Sequence, residues 1–269
     1  MANAVSDGAS PAFERRVVVA ADTAALTAAA AGHLRRGIAE AIAARGRCWI
    51  ALAGGRTPRA VYERLAEAGT PAIDWTRVHV AFGDERMVAP DHGDSNYGMA
   101  RAALFDRVPL PPSQIHRIEG ERGVAAAAAD AYAAALSRAF ALAPGTWPVF
   151  DLVLLGVGPD GHTASLFPHT PALAVLDRLA AAAVAPSPPT ARVTLTYPVL
   201  NAARAVLVLV SGPDKADAVA RAFDDGDVVV DDCPVRGVRP EAGTLLWHLD
   251  AAAAVKLPDG LPAAADLRP

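Results

Sequence analysis

A histidine stands directly behind a glycine-rich turn in the segment FDLVLLGVGPDGHTASLFP, residues 150–168. His162 follows Gly161, and Asp160 precedes the histidine by two residues. Because an imidazole takes up and returns a proton near neutral pH, such a residue suits general acid–base catalysis. We therefore predict that the turn presents His162 as a catalytic base and that Asp160 fixes its tautomer. A histidine that only caps the turn or packs at a sheet edge is the plain structural alternative.

The same turn matches the pattern GxGxxG through Gly156, Gly158 and Gly161, which is a feature of dinucleotide-binding sites. Such a site also needs a long helix after the last glycine and an acidic residue about 20 positions further on. Here two prolines follow within ten residues of Gly161, and the nearest candidate acid, Asp177, follows no clear strand. The context argues against dinucleotide binding, and no cofactor is predicted.

Neither a metal ion nor a serine nucleophile is predicted at this turn. His162, His169 and Asp160 lie close together, but their spacing matches no metal-ligand pattern that proteins commonly use. Ser165 follows the histidine without the GxSxG sequence that exposes a nucleophilic serine. The turn is therefore interpreted as a loop that orients His162 towards a substrate.

A second candidate site is the segment LAGGRTP, residues 52–58, where a predicted strand passes through two glycines into a helix. Glycines let the backbone approach an anion closely, and the free N–H groups of a helix start favour phosphate. We predict that Gly54, Gly55, Arg56 and Thr57 bind a phosphate or another part of the substrate, and that Gly161 of the turn before His162 also contributes to substrate binding. Thr57 is expected to be the N-cap, with Pro58 at the first helical position. An ordinary strand-to-helix turn would look the same.

Charged residues follow two further predicted strands. Asp84, Glu85 and Arg86 cluster in AFGDERMVAP, residues 81–90, and Lys215 follows a glycine turn in SGPDKADAV, residues 211–219. An arginine can stabilise a phosphate or a developing oxyanion. A lysine in the first turn opposes the helix dipole, which an anion bound there would explain. Arg192 is a weaker candidate of the same kind, and each charge alone could be an ordinary surface residue.

The composition limits the classes of function. The chain has 269 residues, of which 52% are hydrophobic, so a substantial core can form, and its formal net charge is −4. Without a long basic run, binding to nucleic acid or to an anionic membrane surface is not expected. The sequence has no signal-peptide pattern, no apolar stretch of about 20 residues and two distant cysteines, Cys48 and Cys233. We predict a cytoplasmic protein without an obligate protein partner.

Apolar runs alternate with alanine-rich segments of helical composition along the chain. This alternation predicts a mostly parallel, doubly wound α/β sheet with helices on both faces. Residues 1–12 are expected to be a loose tail, and residues 13–269 a single domain. The predicted strands are residues 16–20, 48–55 and 77–82, the apolar run before His162, and the segments RVTLTY, AVLVLVSG and GTLLWHLD. The predicted helices are residues 23–46 and the segments TPRAVYERLAEAG, SNYGMARAALFDRV (capped by Ser95), VAAAAADAYAAALSRAFALA and PDKADAVARAF. Ligands of such sheets bind beyond the carboxyl ends of the strands, where the candidate residues gather.

Taken together, LAGGRTP, FGDER, SNY, VLLGVGPDGHTASLFPHTPAL, RVTLTYPVLNAAR, SGPDKADAV and WHLDAAAA resemble the 6-phosphogluconolactonase family. The motifs occur in that family's order, and the long block around His162 is the specific one. The resemblance implies a fold related to glucosamine-6-phosphate deaminase and ribose-5-phosphate isomerase. It also implies hydrolysis of 6-phosphoglucono-δ-lactone in the oxidative pentose phosphate pathway, with no required cofactor.

Two related functions remain as alternatives. Deaminases similar to this chain carry a glutamate, within a pattern like IAFNEP, where this chain has Phe167, and they have DEY where this chain has DER. Both differences favour the lactonase over a deaminase or isomerase. A non-catalytic sugar-phosphate binding protein on the same fold is the other alternative. The segment VRGVRPEAG departs from the family pattern, which leaves the roles of Arg236 and Arg239 open.

The sequence yields a hypothesis for the site as a whole. Gly54, Gly55, Thr57 and Lys215, with Arg192, are expected to hold the 6-phosphate of a sugar-phosphate lactone. His162 would activate water, and Arg86 or turn amides would stabilise the oxyanion. Asp84 and Asp160 are expected to orient these groups.

Overall fold

A computed structural model describes residues 14–67, 73–224, 226 and 228–257 of the chain. The predicted N-terminal tail, residues 1–12, lies outside the described residues. The strands are β1 (Glu14–Ala20), β2 (Cys48–Leu52), β3 (Val78–Phe82), β4 (Asp84–Arg86), β5 (Leu152–Gly156), β6 (Ala180–Val184), β7 (Ala191–Leu195), β8 (Ala205–Val210) and β9 (Thr244–Asp250). The α-helices are α1 (Thr23–Arg45), α2 (Arg56–Leu65), α3 (Asn96–Ala103), α4 (Ala125–Ala139), α5 (Tyr197–Asn201), α6 (Ala216–Phe223) and α7 (Ala251–Ala254).

Six strands form a parallel central sheet in the order β1-β9-β8-β5-β2-β3. Its inner strands are buried along nearly their whole length, from Leu152 to Leu155 in β5 and from Val206 to Val210 in β8. Continuous apolar runs of this kind are typical of strands covered on both faces. The predicted α/β class with a mostly parallel sheet flanked by helices is confirmed.

A second, three-stranded antiparallel sheet in the order β4-β7-β6 corrects the predicted arrangement. RVTLTY, which was counted with the parallel strands, contributes β7 to this smaller sheet instead. Asp84–Arg86, which the sequence suggested to be a charged strand end, is itself the short strand β4. The physical reason is pairing over a long distance in the chain, because the strand that pairs with β4 among the described residues is β7.

The ends of α1 and the start of α3 follow local capping rules, whereas the predicted cap of α2 does not. Asp22 caps α1 through its carboxylate, Gly46 ends that helix in the left-handed region (φ 74°), and Ser95 caps α3 as predicted. The predicted N-cap Thr57 is wrong. Gly55 occupies the cap of α2 with φ 106°, a conformation that disfavours threonine, so Thr57 and Pro58 become the second and third helical residues.

Other helix boundaries among the described residues differ from the predictions by up to about one and a half turns. The helix predicted from Ser95 stops at Ala103, and a 3₁₀ turn (Phe105–Arg107) follows it. A 3₁₀ turn (Pro213–Lys215) also precedes α6, so Lys215 is the residue immediately before that helix rather than within its first turn. None of the described helices is long and apolar enough to cross a bilayer.

The chain order of the sheet changes direction between β2 and β5. From β2 the chain adds β3 on one side, whereas β5, β8 and β9 lie on the other side. A crevice forms at such a switch point beyond the carboxyl ends of the two strands. The glycines after β2 and the turn before His162 therefore meet at this crevice.

Candidate active site

The turn that carries His162, which we call the base loop (residues 157–162), closes on itself through two backbone hydrogen bonds. The Gly158 N–H donates to the His162 carbonyl oxygen (2.8 Å), and the Gly161 N–H donates to the Gly158 carbonyl oxygen (2.9 Å). Gly161 has φ 88°, and a Cβ there would lie within 3 Å of the Cys233 sulfur. Both facts require glycine at this position. Gly161, which was predicted to contribute to substrate binding, therefore shapes the backbone of the turn, and it is not among the residues that line the two cavities described below.

His162 and Asp160 form a close pair in the base loop. The Nδ1 atom of His162 lies 2.6 Å from Asp160 Oδ1, and the His162 backbone N–H donates to the same oxygen (3.2 Å). Burial would raise the pKa of Asp160, but the hydrogen bonds from His162 outweigh it and hold that pKa below its ordinary value. An ionised carboxylate accepts, so Nδ1 carries the proton and Nε2 is left with a free lone pair. This is the tautomer that a general base needs.

Phe167 packs against the imidazole of His162. The ring centroids are 4.5 Å apart, and Phe167 is 6% exposed. Both residues line a cavity of about 230 Å³ together with the glycines after β2 and the charged residues of β4 and β7. The position at which the sequence resemblance leads us to expect a glutamate in a deaminase is therefore filled here by an apolar ring.

Asp84 lines the same cavity but makes its hydrogen bonds away from His162. Ser165 Oγ donates to Asp84 Oδ2 (2.6 Å), and Asn96 Nδ2 donates to Asp84 Oδ1 (3.1 Å). Ala164, held in the left-handed region with φ 48°, turns the chain just before Ser165. The predicted orienting role of Asp84 therefore applies to Ser165 and Asn96. His162 is held by Asp160 instead.

Asn96, which was not predicted as a site residue, explains why glycine is needed at position 54. A Cβ on Gly54 would overlap the side-chain amide of Asn96, so the two residues can pack only because Gly54 has no side chain. Asn96 is 2% exposed and lines the cavity. The available signal was the motif SNY, which places a polar residue directly after the Ser95 cap.

Glu85 attaches β4 to the start of α3. Its carboxylate accepts from the backbone N–H groups of Asn96 and Tyr97, both at 2.8 Å, and from Ser95 Oγ at 3.1 Å. A carboxylate at a helix N-terminus also interacts favourably with the helix dipole. Burial raises the pKa of Glu85, although the backbone hydrogen bonds oppose that shift. Glu85 therefore fixes the position of its neighbours Asp84 and Arg86 in the cavity wall.

Two arginines face each other across the small sheet. Arg86 of β4 pairs in register with Arg192 of β7, and both side chains line the cavity. Arg192 is 8% exposed, and within the described residues its Nε and Nη1 atoms have no hydrogen-bond partner. Burial, followed by repulsion from Arg86, lowers the pKa of Arg192. A buried guanidinium beside a second cation is unfavourable, so this wall is suited to an anionic group.

A second cavity of about 580 Å³ adjoins the first, since Gly54, Gly55 and Lys215 line both. The predicted phosphate residues Arg56 and Thr57 line this second cavity, where the hydroxyls of Thr57 and Ser211 lie 2.7 Å apart. Lys215 Nζ lies 3.2 Å from the exposed carboxylate of Asp214. The backbone of Gly55, the two hydroxyls and the Lys215 ammonium thus surround one volume.

The described part of the chain contains no group of three or more His, Cys, Asp or Glu side chains placed to hold a metal ion. His169, close in sequence to His162, instead lies 3.1 Å from the carboxylate of Asp232. Ser165 is buried and bonded to Asp84.

Sequence comparisons agree with the geometry. The family described as glucosamine-6-phosphate isomerases/6-phosphogluconolactonase matches residues 21–247. A 6-phosphogluconolactonase of Nostoc sp. is 44% identical over 247 residues, covering 91% of this chain and 99% of that protein. A human 6-phosphogluconolactonase is 43% identical over 214 residues, covering 78% of this chain and 81% of that protein.

Solved structures give the same picture. A 6-phosphogluconolactonase from Trypanosoma brucei superimposes with a TM-score of 0.80 at 31% identity, covering 92% of this chain and all of that chain. A monomeric glucosamine-6-phosphate deaminase superimposes with a TM-score of 0.73 at 19% identity, covering 90% of this chain and 99% of that chain. The second likeness concerns the fold alone.

Proposed function

This chain belongs to the glucosamine-6-phosphate isomerase/6-phosphogluconolactonase family, and on that premise we propose that it hydrolyses 6-phosphoglucono-δ-lactone to 6-phosphogluconate. The proposed hydrolysis rests on one observation. The His162–Asp160 pair opens into a cavity walled by Arg86, Arg192 and Lys215. This arrangement combines one base with several cations, as hydrolysis of a phosphorylated lactone requires.

Substrate binding is assigned to the carboxyl ends of β2 and β8. The backbone of Gly54 and Gly55, the hydroxyl of Thr57 and the ammonium of Lys215 would hold the 6-phosphate, and Arg56 would add charge at the rim. Arg192 would complete the neutralisation from the small sheet. Because the phosphate is remote from the reacting carbonyl, its binding energy serves to position the lactone.

The chemical step is assigned to His162 acting on water. Nε2 removes a proton as the water oxygen bonds to the lactone carbonyl carbon, and the resulting imidazolium is stabilised by Asp160. The tetrahedral intermediate then collapses. The bond from the carbonyl carbon to the ring oxygen breaks, and the ring oxygen takes the proton back from His162. A δ-lactone is already reactive, so no covalent enzyme intermediate and no cofactor are required.

Stabilisation of the oxyanion is assigned to Arg86, with base-loop amides as the alternative. The guanidinium of Arg86 lines the reaction cavity, and its Nη1 donates to the Asp94 carbonyl, which restricts its orientation. A donor that is already oriented needs no reorganisation when charge develops on the carbonyl oxygen. Asp84 would keep Ser165 and Asn96 in place beside it.

Phe167 supports hydrolysis over deamination. The resemblance to the deaminases implies that ring opening needs a glutamate beside the histidine, whereas here the imidazole packs on the ring of Phe167. A phenyl ring has no group that can relay a proton. A cytoplasmic role in the oxidative pentose phosphate pathway is part of this proposal.

The test uses purified protein and freshly generated 6-phosphogluconolactone. Formation of 6-phosphogluconate is followed above the spontaneous rate, and ammonia release from glucosamine 6-phosphate is measured in parallel. We expect the lactone reaction alone to be accelerated. Ammonia release would overturn the argument from Phe167, and acceleration of neither reaction would leave a sugar-phosphate binding protein without catalysis.

A further inference from the structure

We propose that Arg221 is a positioning residue for His162, which holds the base loop in its catalytic geometry from the end of α6. The inference rests on the proposed role of His162 as the base. Arg221 lies near the end of α6, and its Nη2 atom donates to the Pro159 carbonyl oxygen (3.1 Å). Pro159 lies three residues before His162, in the middle of the base loop. Arg221 is not part of the cavity wall and therefore acts through the loop.

Three contacts that hold Pro159 and Gly161 of the base loop from outside come from the same late part of the chain. Besides Arg221, the Val235 N–H donates to the Gly161 carbonyl oxygen (3.0 Å), and Cys233 fills the space beside Gly161. These contacts bear on the residues immediately before His162. The internal hydrogen bonds of the loop fix its shape, whereas these external contacts fix where the loop lies.

The segment that supplies the other two contacts, residues 229–239, is itself anchored on α5. The Tyr197 hydroxyl donates to the Pro234 carbonyl oxygen (2.7 Å), and Asn201 Nδ2 donates to the Gly237 carbonyl oxygen (3.0 Å). Arg239 donates its backbone N–H to Asn201 Oδ1 (2.7 Å). The segment therefore has a fixed position from which to support the loop.

Arg236 joins this segment to α6 next to Arg221. Its Nη1 atom donates to the carbonyl oxygens of Arg221 (2.9 Å) and Asp224 (2.5 Å), which lie at the end of the helix. Arg221 itself reaches the Asp232 carbonyl oxygen with Nη1 (3.4 Å). The two arginines thus tie three parts of the chain together, namely the base loop, the end of α6 and residues 229–239.

Helix α6 also connects Arg221 to the residue proposed to hold the phosphate. Lys215 immediately precedes α6, and Arg221 lies in the second turn of that helix. A rigid helix roughly 12 Å long therefore joins the phosphate-binding lysine to the arginine that supports the base loop. Displacement of the base by about 1 Å can cost on the order of 100-fold in rate. Loss of the Arg221 contact should therefore lower kcat by roughly 10–100-fold and leave KM within about twofold.

The experiment compares three variants in the lactone assay. Arg221→Ala should show the fall in kcat, and Arg221→Lys, which keeps a single donor near Pro159, should recover part of it. Lys256→Ala is the matched control because Lys256 Nζ donates to Asp217 of the same helix without contacting the base loop. We expect the control to keep the parent kcat.

Two further measurements separate positioning from loss of folded protein. Calorimetric titration with 6-phosphogluconate counts the molecules with an intact site, so kcat is expressed per binding site. The C2 proton resonance of His162, identified by its loss in His162→Ala, should shift or broaden in Arg221→Ala and stay unchanged in Lys256→Ala.

The outcomes distinguish this inference from the proposed function. If Arg221→Ala keeps the parent kcat per site and the parent His162 resonance, the inference is wrong even though the lactonase assignment stands. If His162→Ala keeps full activity, the assignment of the base fails first. If Arg221→Ala does not fold, Arg221→Met decides, because methionine keeps an apolar side chain of similar length but has no donor for the Pro159 carbonyl oxygen. A folded methionine variant with the parent kcat per site and the parent His162 resonance also contradicts the proposal.

Discussion

The two ends of the central sheet carry similar charged side chains but differ in how those charges are paired. At the amino end, Asp151 is 6% exposed and accepts from the Trp49 N–H (2.8 Å) and from Arg45 Nε (2.7 Å). Arg204 Nε lies a further 3.5 Å from the same carboxylate. At the cavity beyond the carboxyl end, Arg192 of the small sheet is 8% exposed and has two nitrogen atoms without a partner among the described residues.

The difference separates charges that hold the fold from charges that are kept for a ligand. A buried polar group without a partner destabilises the folded state, whereas a paired one does not. Substitutions at the amino end should therefore change stability with little effect on the reaction. Substitutions at the carboxyl end should change the reaction and leave stability unchanged or raised.

His162→Ala should give the largest effect and should affect only the reaction. We expect kcat to fall by about 10²–10⁴-fold because general-base assistance is lost, while KM stays nearly constant. Steady-state rates above the spontaneous hydrolysis of the lactone measure this. A kcat close to that of the parent would remove His162 from the mechanism.

Asp151→Ala should give the largest effect on stability. The free energy of unfolding should fall by about 2–3 kcal/mol, because the variant loses charge-assisted hydrogen bonds and leaves a buried N–H group unpaired. Urea denaturation measures the loss. The control is Asp130→Ala, whose exposed ion pair with Arg178 (3.4 Å) should contribute less than about 1 kcal/mol. A large change in kcat per folded molecule would show that the two ends are not independent.

Arg192→Met should raise the free energy of unfolding, by about 1 kcal/mol, and raise KM by roughly tenfold. The stability gain follows because burial disfavours the charged guanidinium in the folded protein. Arg204→Met at the amino end is the opposite control and should lower stability slightly, since it removes a partner of Asp151. Destabilisation by both substitutions would contradict the contrast between the two ends.

His116→Gln should give the smallest effect, visible only as a change in pH dependence. His116 lies 3.4 Å from His79 beside Trp49 at the amino end, and burial lowers the pKa of His116 to about 4 and that of His79 in the same direction. The unfolded chain binds these protons from the ordinary pKa of 6.5 downwards, so stability falls as the pH drops from 6.5 towards 4.

The glutamine variant should lose less stability over that range than the parent. The difference should stay well below the ~1.4 kcal/mol per pH unit of one proton, because water screens these half-exposed rings. Urea midpoints at about pH 7 and about pH 5 test this. If the urea midpoint changes equally with pH in the variant and the parent, His116 does not contribute to the pH dependence of stability.

Local patterns in the sequence were sufficient for the main sheet and for much of the site. Uninterrupted apolar runs indicated the parallel strands, and parallel strands place their carboxyl ends at one edge. For that reason His162, Gly54 and Lys215 could be assigned to a common crevice before any contact was known. The Asp160–His162 pair was equally accessible, since the two residues lie in one turn.

Features that depend on distant pairing could not be predicted. Strand β6, with the sequence AAAAV, has a composition that favours helix, and it is a strand only because β7 pairs with it. The facing positions of Arg86 and Arg192 follow from the same pairing. Arg221 resembles any surface arginine in the sequence, because its acceptor lies 62 positions earlier.

The order of the strands has a consequence for how the chain acquires its structure during synthesis. Strand β1 pairs, within the described residues, only with β9, so that Ala20 must meet Asp250 roughly 230 positions later. At about 5–20 residues per second, the ribosome needs on the order of 10–50 s to deliver that partner. Over this interval β1 has an unsatisfied edge, and the nascent chain depends on solvent or a chaperone to keep it from pairing elsewhere. The first of the described strands to be made is thus among the last to be fixed.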